Sequence, residues 1–556
     1  MTVTHWISGS GDWNTASNWS DGVPTAADDA VFDRAQYDFT VTGSGAAASL
    51  SVADPYLSTL TLAGSHSVGT FSLSTIGAVE LAPTAALLFA SGTVEAPSSP
   101  YNSLGAVLRL DAGATLGGGT LALGADATLA GTLGVVANPI VVAPATAADG
   151  TATATIAGAG TLSGAITGAG ALVLSSPSRA PDRLVLTGAG NAWSGGTTIT
   201  SGGEPLVPFE VPYTGAAGGV ELARQGAGGT GPLSVSYGTL LVDPGVTLAP
   251  LEAGDGFMGT VIGSDQDLTL QGGAGSLVLR NGSGHATVLG TTSPVQLPGA
   301  RGVGAGGFLF GTLLVSGGTG RVTVFGGNEQ AEVYGGTAGG NVLVAGPVLD
   351  GYEPLSPGNP YFLLTPAGTI LGTPTGPTTI GGGGDGDLLV GTGRFGLLMA
   401  ASAGNETLSG AASSGSDTMF GGTGADLLVA GSGRTTVVAG SGATTINGGA
   451  GLTTLFAGAG EDVLVGGAGG GYVQAGSGNL ALFGGAGEER IGVVNGQSGG
   501  EVVVYGFRPG RDHVLAQGYD TVPTVSGAPG GTMLRFADHT VLTLLGVTGV
   551  DLAAVT

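Results

Sequence analysis

The chain contains no cysteine and no lysine. The first absence excludes disulfides, thiolate metal centres and thiol catalysis. The second leaves arginine as the only fixed positive charge: 14 basic residues stand against 39 acidic ones, a net charge of −25. A surface of that sign suits cations and repels nucleic acid and anionic membrane. No apolar run reaches the length of a membrane span, so no membrane insertion is expected. The start, Met1 to Gly9, has neither the basic region nor the apolar stretch of a cleaved signal peptide. Catalytic signatures are missing too. The five histidines, His5, His66, His285, His513 and His539, are isolated, and no H-E-x-x-H occurs. No G-x-S-x-G lies in a strand–turn–helix setting, because no helical periodicity surrounds any candidate.

What is abundant is glycine, 114 residues, beside a hydrophobic fraction of 42%. There is no collagen period, and the apolar content argues against simple disorder. Glycine with aliphatic residues and threonine fits stacked short strands joined by tight turns. Nine nonapeptides run without a gap from Ala412 to Gly492. Each has an aliphatic residue at its eighth position: Met419, Leu428, Val437, Ile446, Leu455, Leu464, Val473, Leu482 and Ile491. The unit Gly421-Gly422-Thr423-Gly424-Ala425-Asp426-Leu427-Leu428-Val429 fits G-G-x-G-x-D-x-U-x at every fixed position.

That pattern resembles the RTX repeat of the parallel β-roll. The resemblance implies two nonapeptides per coil, coils stacked at about 4.8 Å, and a glycine turn eased by the freedom of glycine at positive φ. It also implies Ca²⁺ as cofactor, held by turn carboxylates and carbonyls. The residues that match are Asp387, Asp417, Asp426 and Asp462, with Gly421, Gly422 and Gly424. The sequence departs from the family at the sixth position, which reads Asp417, Asp426, Thr435, Thr444, Thr453, Asp462, Gly471, Leu480 and Glu489. No two repeats two apart in this run both supply a carboxylate, so most ion sites are expected to be degenerate. Upstream, Gly382 to Val390 and Gly404-Asn405-Glu406 are less regular units, with Glu406 in the Asp place.

Val502 to Leu515, which includes Phe507-Arg508-Pro509-Gly510-Arg511-Asp512, is similar to the segment following RTX arrays. Thr540 to Val547 and Leu552 to Thr556 are similar to the uncleaved end of type I secretion substrates. These resemblances imply export without a cleaved leader, to the extracellular space or cell surface. The same segment also reads as a β-rich cap.

Trp6, Trp13 and Trp19, within the first part of the chain, resemble the opening of large bacterial surface proteins built as β-helices. An open solenoid end needs a cap, and a sugar-stacking platform is the alternative use of three tryptophans. Leu184 to Ile199, around Trp193, resembles an autotransporter passenger repeat, a right-handed parallel β-helix. Short alternating segments such as Leu60-Thr61-Leu62 and Leu108-Arg109-Leu110 read as strands.

The expected fold is all-β: a right-handed parallel β-helix or β-solenoid, then an RTX-type parallel β-roll and a β-rich C-terminal cap. The expected division is a Trp-rich cap at 1–45, β-helix at 46–345, a Pro-rich linker or excursion at 346–380, the roll at 381–492, and the cap with secretion signal at 493–556. On one sheet of the roll, alternate repeats should point Thr418/Phe420, Thr436/Val438 and Thr454/Phe456 outward. That stripe is a contact surface, for this chain or for another copy. The function expected is a non-enzymatic, exported structural or adhesive protein of a surface layer, fibre or biofilm matrix. It would assemble with itself and with calcium, and cell-surface polysaccharide is a further partner. The rival is a secreted polysaccharide lyase or epimerase, which would cluster acids and bases across coils. Residues 100–300 are poor in charge, however, and Arg179, Asp182 and Arg183 form the single tight group there.

Overall fold

The computed structural model describes all residues except 35–37, 54–57, 97–104, 145–152, 177–181, 202–218, short stretches between 247 and 311, 326–329, most of 346–377, 394–395 and 549–556. The chain is a parallel β-solenoid made of two compact units, Met1–Thr269 and Leu270–Thr556. Among the described residues the one helical element is a three-residue 3-10 turn, Ala16–Asn18. No helix is long and apolar enough to cross a membrane.

In the first unit the strands alternate between two parallel ladders. One runs Val3–His5, Asp29–Phe32, Gly45–Val52, Ser65–Leu73 and onward to Ala192–Trp193. The other includes Asp38–Thr42, Thr59–Ala63, Ala78–Leu81 and Val107–Leu110. Alternation decides which side chains face inward: Leu60, Leu62, Val79, Leu81, Leu108 and Leu110 are all buried. A coil cannot bury its apolar side alone, so each is stabilised by the coils beside it.

Trp6, Trp13 and Trp19 close on Phe32 at the start of this stack. Trp6 and Trp19 meet edge to face at 5.0 Å and Trp13 and Trp19 at 4.8 Å. Two indole N–H groups are used internally, Trp6 to the Gly9 carbonyl at 3.0 Å and Trp19 to the Trp13 carbonyl at 2.8 Å, while that of Trp13 is buried with no acceptor among the described residues. All three rings are buried, so they offer no open face for a sugar. Trp193 is buried as well, donating to the Thr197 hydroxyl at 2.7 Å. Asn191 ties neighbouring coils by accepting from Ile166 N–H at 2.7 Å and donating to the Ala227 carbonyl at 3.2 Å.

The second unit repeats the plan with shorter strands. Gln330–Tyr334 pairs in parallel with Thr378–Gly381, and Val342–Ala345 with Leu388–Gly393. Parallel pairing therefore joins the strands before and after the proline-rich segment. Three short strands of that segment, Glu353–Pro354, Phe362–Leu364 and Ile370–Gly372, pair antiparallel with each other. Its other residues lie largely outside the described ones.

From 388 the roll has two ladders around one apolar column. The eighth-position residues from Met419 to Ile491 are all buried there. The end of the stack changes direction: Thr524–Ala528, Gly531–Arg535 and Val541–Leu545 form an antiparallel meander. Its last strand pairs in parallel with Glu501–Tyr505, so the meander packs onto the last coils.

Gly449 and Gly470 take the positive φ expected of the array's turn glycines, but others have a different role. Gly421, Gly422 and Gly424 do not adopt positive φ. A β-carbon on Gly422 would run into the Ser402 carbonyl, and one on Gly424 into the Gly404 carbonyl. Stacking distance, more than turn conformation, demands glycine here.

Candidate functional site

The sixth position of each repeat points inward. Asp417, Asp426, Thr444, Asp462 and Glu489 are buried, as are Asp387 and Glu406 upstream. A carboxylate placed there needs hydrogen-bond donors, and the turns supply backbone amides. Asp426 accepts from Gly422 N–H at 2.6 Å and, on the preceding coil, from Glu406 N–H at 3.0 Å. Asp462 repeats this with Gly458 N–H at 2.6 Å and Thr444 N–H at 3.0 Å. Asp387 accepts from Gly383 N–H at 2.8 Å, Gly384 N–H at 3.1 Å, and the backbone and side-chain amides of Asn341, each at 2.8 Å. Asp512 continues the pattern with Arg508 N–H at 2.8 Å and Glu489 N–H at 3.1 Å. Each acid thus closes its own turn and links it to the coil before.

Asp417 differs. One oxygen accepts from Leu397 N–H at 3.1 Å and the Ser413 hydroxyl at 2.9 Å. The other is buried with no partner among the described residues, as is the hydroxyl of Thr435, its neighbour in register on the next coil. Burial pushes the carboxyls of Asp417, Asp462 and Glu406 above their ordinary values, and Asp426 and Asp387 add to the rise at Glu406. Burial raises Glu489 to about 7; the Gly485 amide opposes this and the Asp512 charge reinforces it.

Sequence spacing missed one juxtaposition. Asp387 and Glu406 precede Asp426 on the same edge, because Leu388 pairs with Thr407 and Thr407 with Leu427. Three acids therefore occupy successive coils. Beyond them the edge continues with Thr444, Asp462 and Leu480, in the expected order.

Calcium takes six to eight oxygen ligands at about 2.3–2.6 Å. Here the oxygens of Asp387, Asp426 and Asp462 face N–H donors, whose partial positive charge repels a cation. The Gly422 carbonyl is engaged by Ser441 N–H at 3.1 Å, and Gly421 N–H is spent on the Val438 carbonyl at 2.8 Å. No group of three or more acids and histidines placed to hold a metal occurs among the described residues. In this arrangement the carboxylates of Asp387, Asp426 and Asp462 are already taken up by amides, and the second oxygen of Asp417 is the one left without a donor among the described residues. Adding excess EDTA to the purified protein is accordingly expected to leave its far-ultraviolet circular dichroism and thermal midpoint unchanged. A loss of β signal reversed by calcium would show that ions displace these amides.

Outward positions make two columns on each ladder. On the first, Thr418, Thr436 and Thr454 stand in register beside Phe420, Val438 and Phe456, as expected. Phe420 is 40% exposed, while Phe456 is half-buried and meets Tyr472 edge to face at 6.4 Å. The second ladder also carries an apolar face, which the sequence reading did not single out. It includes Leu427, Val429, Val463, Val465, Phe483 and Tyr505, the last two stacked at 4.6 Å.

Of the charged group at 179–183, Arg183 is ion-paired with Glu221 on the next coil at 2.7 Å, and Arg179 lies outside the described residues. Arg183 therefore ties two coils together at the surface. No protein-family model matches the chain, and no curated protein matches it significantly.

Proposed function

We propose that this protein is a structural β-solenoid that associates with copies of itself outside the cell, as part of a surface layer, fibre or matrix. One observation carries the reading: the outward Thr418/Phe420, Thr436/Val438 and Thr454/Phe456 positions set an uncharged threonine column beside an apolar one, in strict register, on a chain of net charge −25. Copies of so acidic a molecule repel one another wherever their charges meet. A flat uncharged stripe is where they can approach, and burying its aromatic side chains from water favours the contact. Export follows from the resemblance of the Val502–Leu515 segment to those after RTX arrays, and the acidic surface keeps the chain soluble on the way.

The test is particle size. The wild-type chain is expected to sediment as assemblies that grow with concentration. Phe420→Ser with Phe456→Ser should shift the distribution down, while circular dichroism stays constant because neither side chain lies in the core column. Unchanged particle size in the double variant would assign that stripe to packing within the chain.

A further inference from the structure

We infer that the roll is bivalent: its second outward face is also an interface, and its occupant is a second copy of this chain. The inference rests on the self-association just proposed and adds the geometry that makes it open-ended. The two ladders enclose one core column, so their outward side chains point to opposite sides of the roll. From Leu388 to Tyr505 the two central outward columns of the second ladder contain no charged residue; Glu501, exposed at the start of the last strand, is the charge that flanks them there. The first face carries none until Arg490 and His513, near its C-terminal end. A partner with a charged docking surface would find no ion pair on the two central columns of the second face. A copy presenting the same uncharged face meets it without repulsion.

The order of side chains along that face is also self-complementary. The column containing Asn447 has three coils on either side, from Val390 to Val429 and from Val465 to Tyr505. A two-fold axis along the central strand, Thr445–Asn447, sets Asn447 on Asn447 and Val429 on Val465. The polar pair is then central, where two amides can hydrogen-bond each other, flanked directly by Val429 and Val465; further out Ser409 meets Phe483 and Val390 meets Tyr505. Such an interface is isologous. One isologous face makes a dimer; two on opposite sides make a chain of copies without end. Each contact is small. Seven coils at about 4.8 Å and a width of about 12 Å give on the order of 800 Å² over both copies, below the ~1,200–2,000 Å² of a stable interface. Growth therefore requires high local concentration, as at a surface, and many contacts in series.

Analytical ultracentrifugation over a concentration series tests this on the full chain. Wild type is expected to grow without a limiting size. Val429→Glu with Val465→Glu, which brings like charges together across the two-fold axis, should stop growth at the dimer held by the first face. Because that variant could disturb folding, a second one reads proximity directly. The chain lacks cysteine, so Asn447→Cys labelled with pyrene-maleimide should give excimer fluorescence on assembly. Growth of the glutamate variant like wild type, or absence of excimer from assembled label, overturns the second interface. Wild type that stops at a dimer overturns bivalence and leaves the self-association reading standing. Wild type that stays monomeric throughout overturns both.

Discussion

Replacing Gly440 with alanine is expected to open the roll at that coil and to cost more than about 3 kcal/mol, the upper end of ordinary overpacking in a core. The added methyl group would fall on the Gly422 carbonyl oxygen. That carbonyl is backbone, and it accepts from Ser441 N–H at 3.1 Å as part of the turn-to-turn ladder. No side-chain rotamer can relieve the overlap, so the coils must separate and lose hydrogen bonds. The same relation recurs along the stack, where a methyl on Gly458 would meet the Gly440 carbonyl and one on Gly476 the Gly458 carbonyl. The control is Gly527→Ala, at an exposed strand position where a β-carbon meets nothing. That change removes only backbone freedom from the unfolded chain and should be neutral or mildly stabilising. Hydrogen exchange of amides 421–445 reads the local effect in the full-length chain. Equal protection in the two variants would return the array's glycines to a turn-forming role.

The part of this architecture legible in the sequence is the part with a strict period. An unbroken aliphatic eighth position could only be an inward column, and it is one. The sixth position was harder, because Asp is both a turn former and a metal ligand. Leu480 in the same column signals that the position faces inward. The run Asp387, Glu406, Asp426 was hidden by spacing: Glu406 and Asp426 are 20 residues apart, whereas Thr444 and Asp462 keep the array's step of 18. Gly410, in a strand with a register shift, falls inside the longer step, and only the pairing of strands restores the alignment. The second face escaped notice because Thr, Asn and Ala interrupt its large apolar side chains, and the Phe483–Tyr505 pair lies outside the nonapeptide spacing. Proline bars central strands only where it stands: past the last proline of 346–380, Thr378–Gly381 pairs in parallel on both sides, which composition alone does not reveal.

Acid is expected to act on the two units in opposite directions. In the roll, Glu489 has its folded value raised from 4.5 to about 7 by burial, with Asp512 adding repulsion and Arg508 partly offsetting it. The folded state therefore holds a proton that the unfolded chain releases between pH 4.5 and 7. The associated stability is fully present below 4.5 and is lost as pH rises through 7, a change of about 3 kcal/mol. Asp417, Asp462 and Glu406 shift in the same direction. In the first unit, His66 is fully buried against Trp13, ring centroids 4.8 Å apart, and neither ring nitrogen meets a partner among the described residues. Burial lowers it from 6.5 to about 4. Its neutral form is the one the fold accepts, so stability is fully present above 6.5 and is lost as pH falls through 4, again by about 3 kcal/mol. Hydrogen exchange at pH 4.5 and 7.5 should show the Trp-rich end loosening in acid while the roll tightens. Glu489→Gln should flatten the second trend and leave the first, and His66→Leu should do the reverse. If both regions weakened together on acidification, the inward acids would be ionised partners of the turn amides, and proton uptake would contribute nothing to holding the roll together.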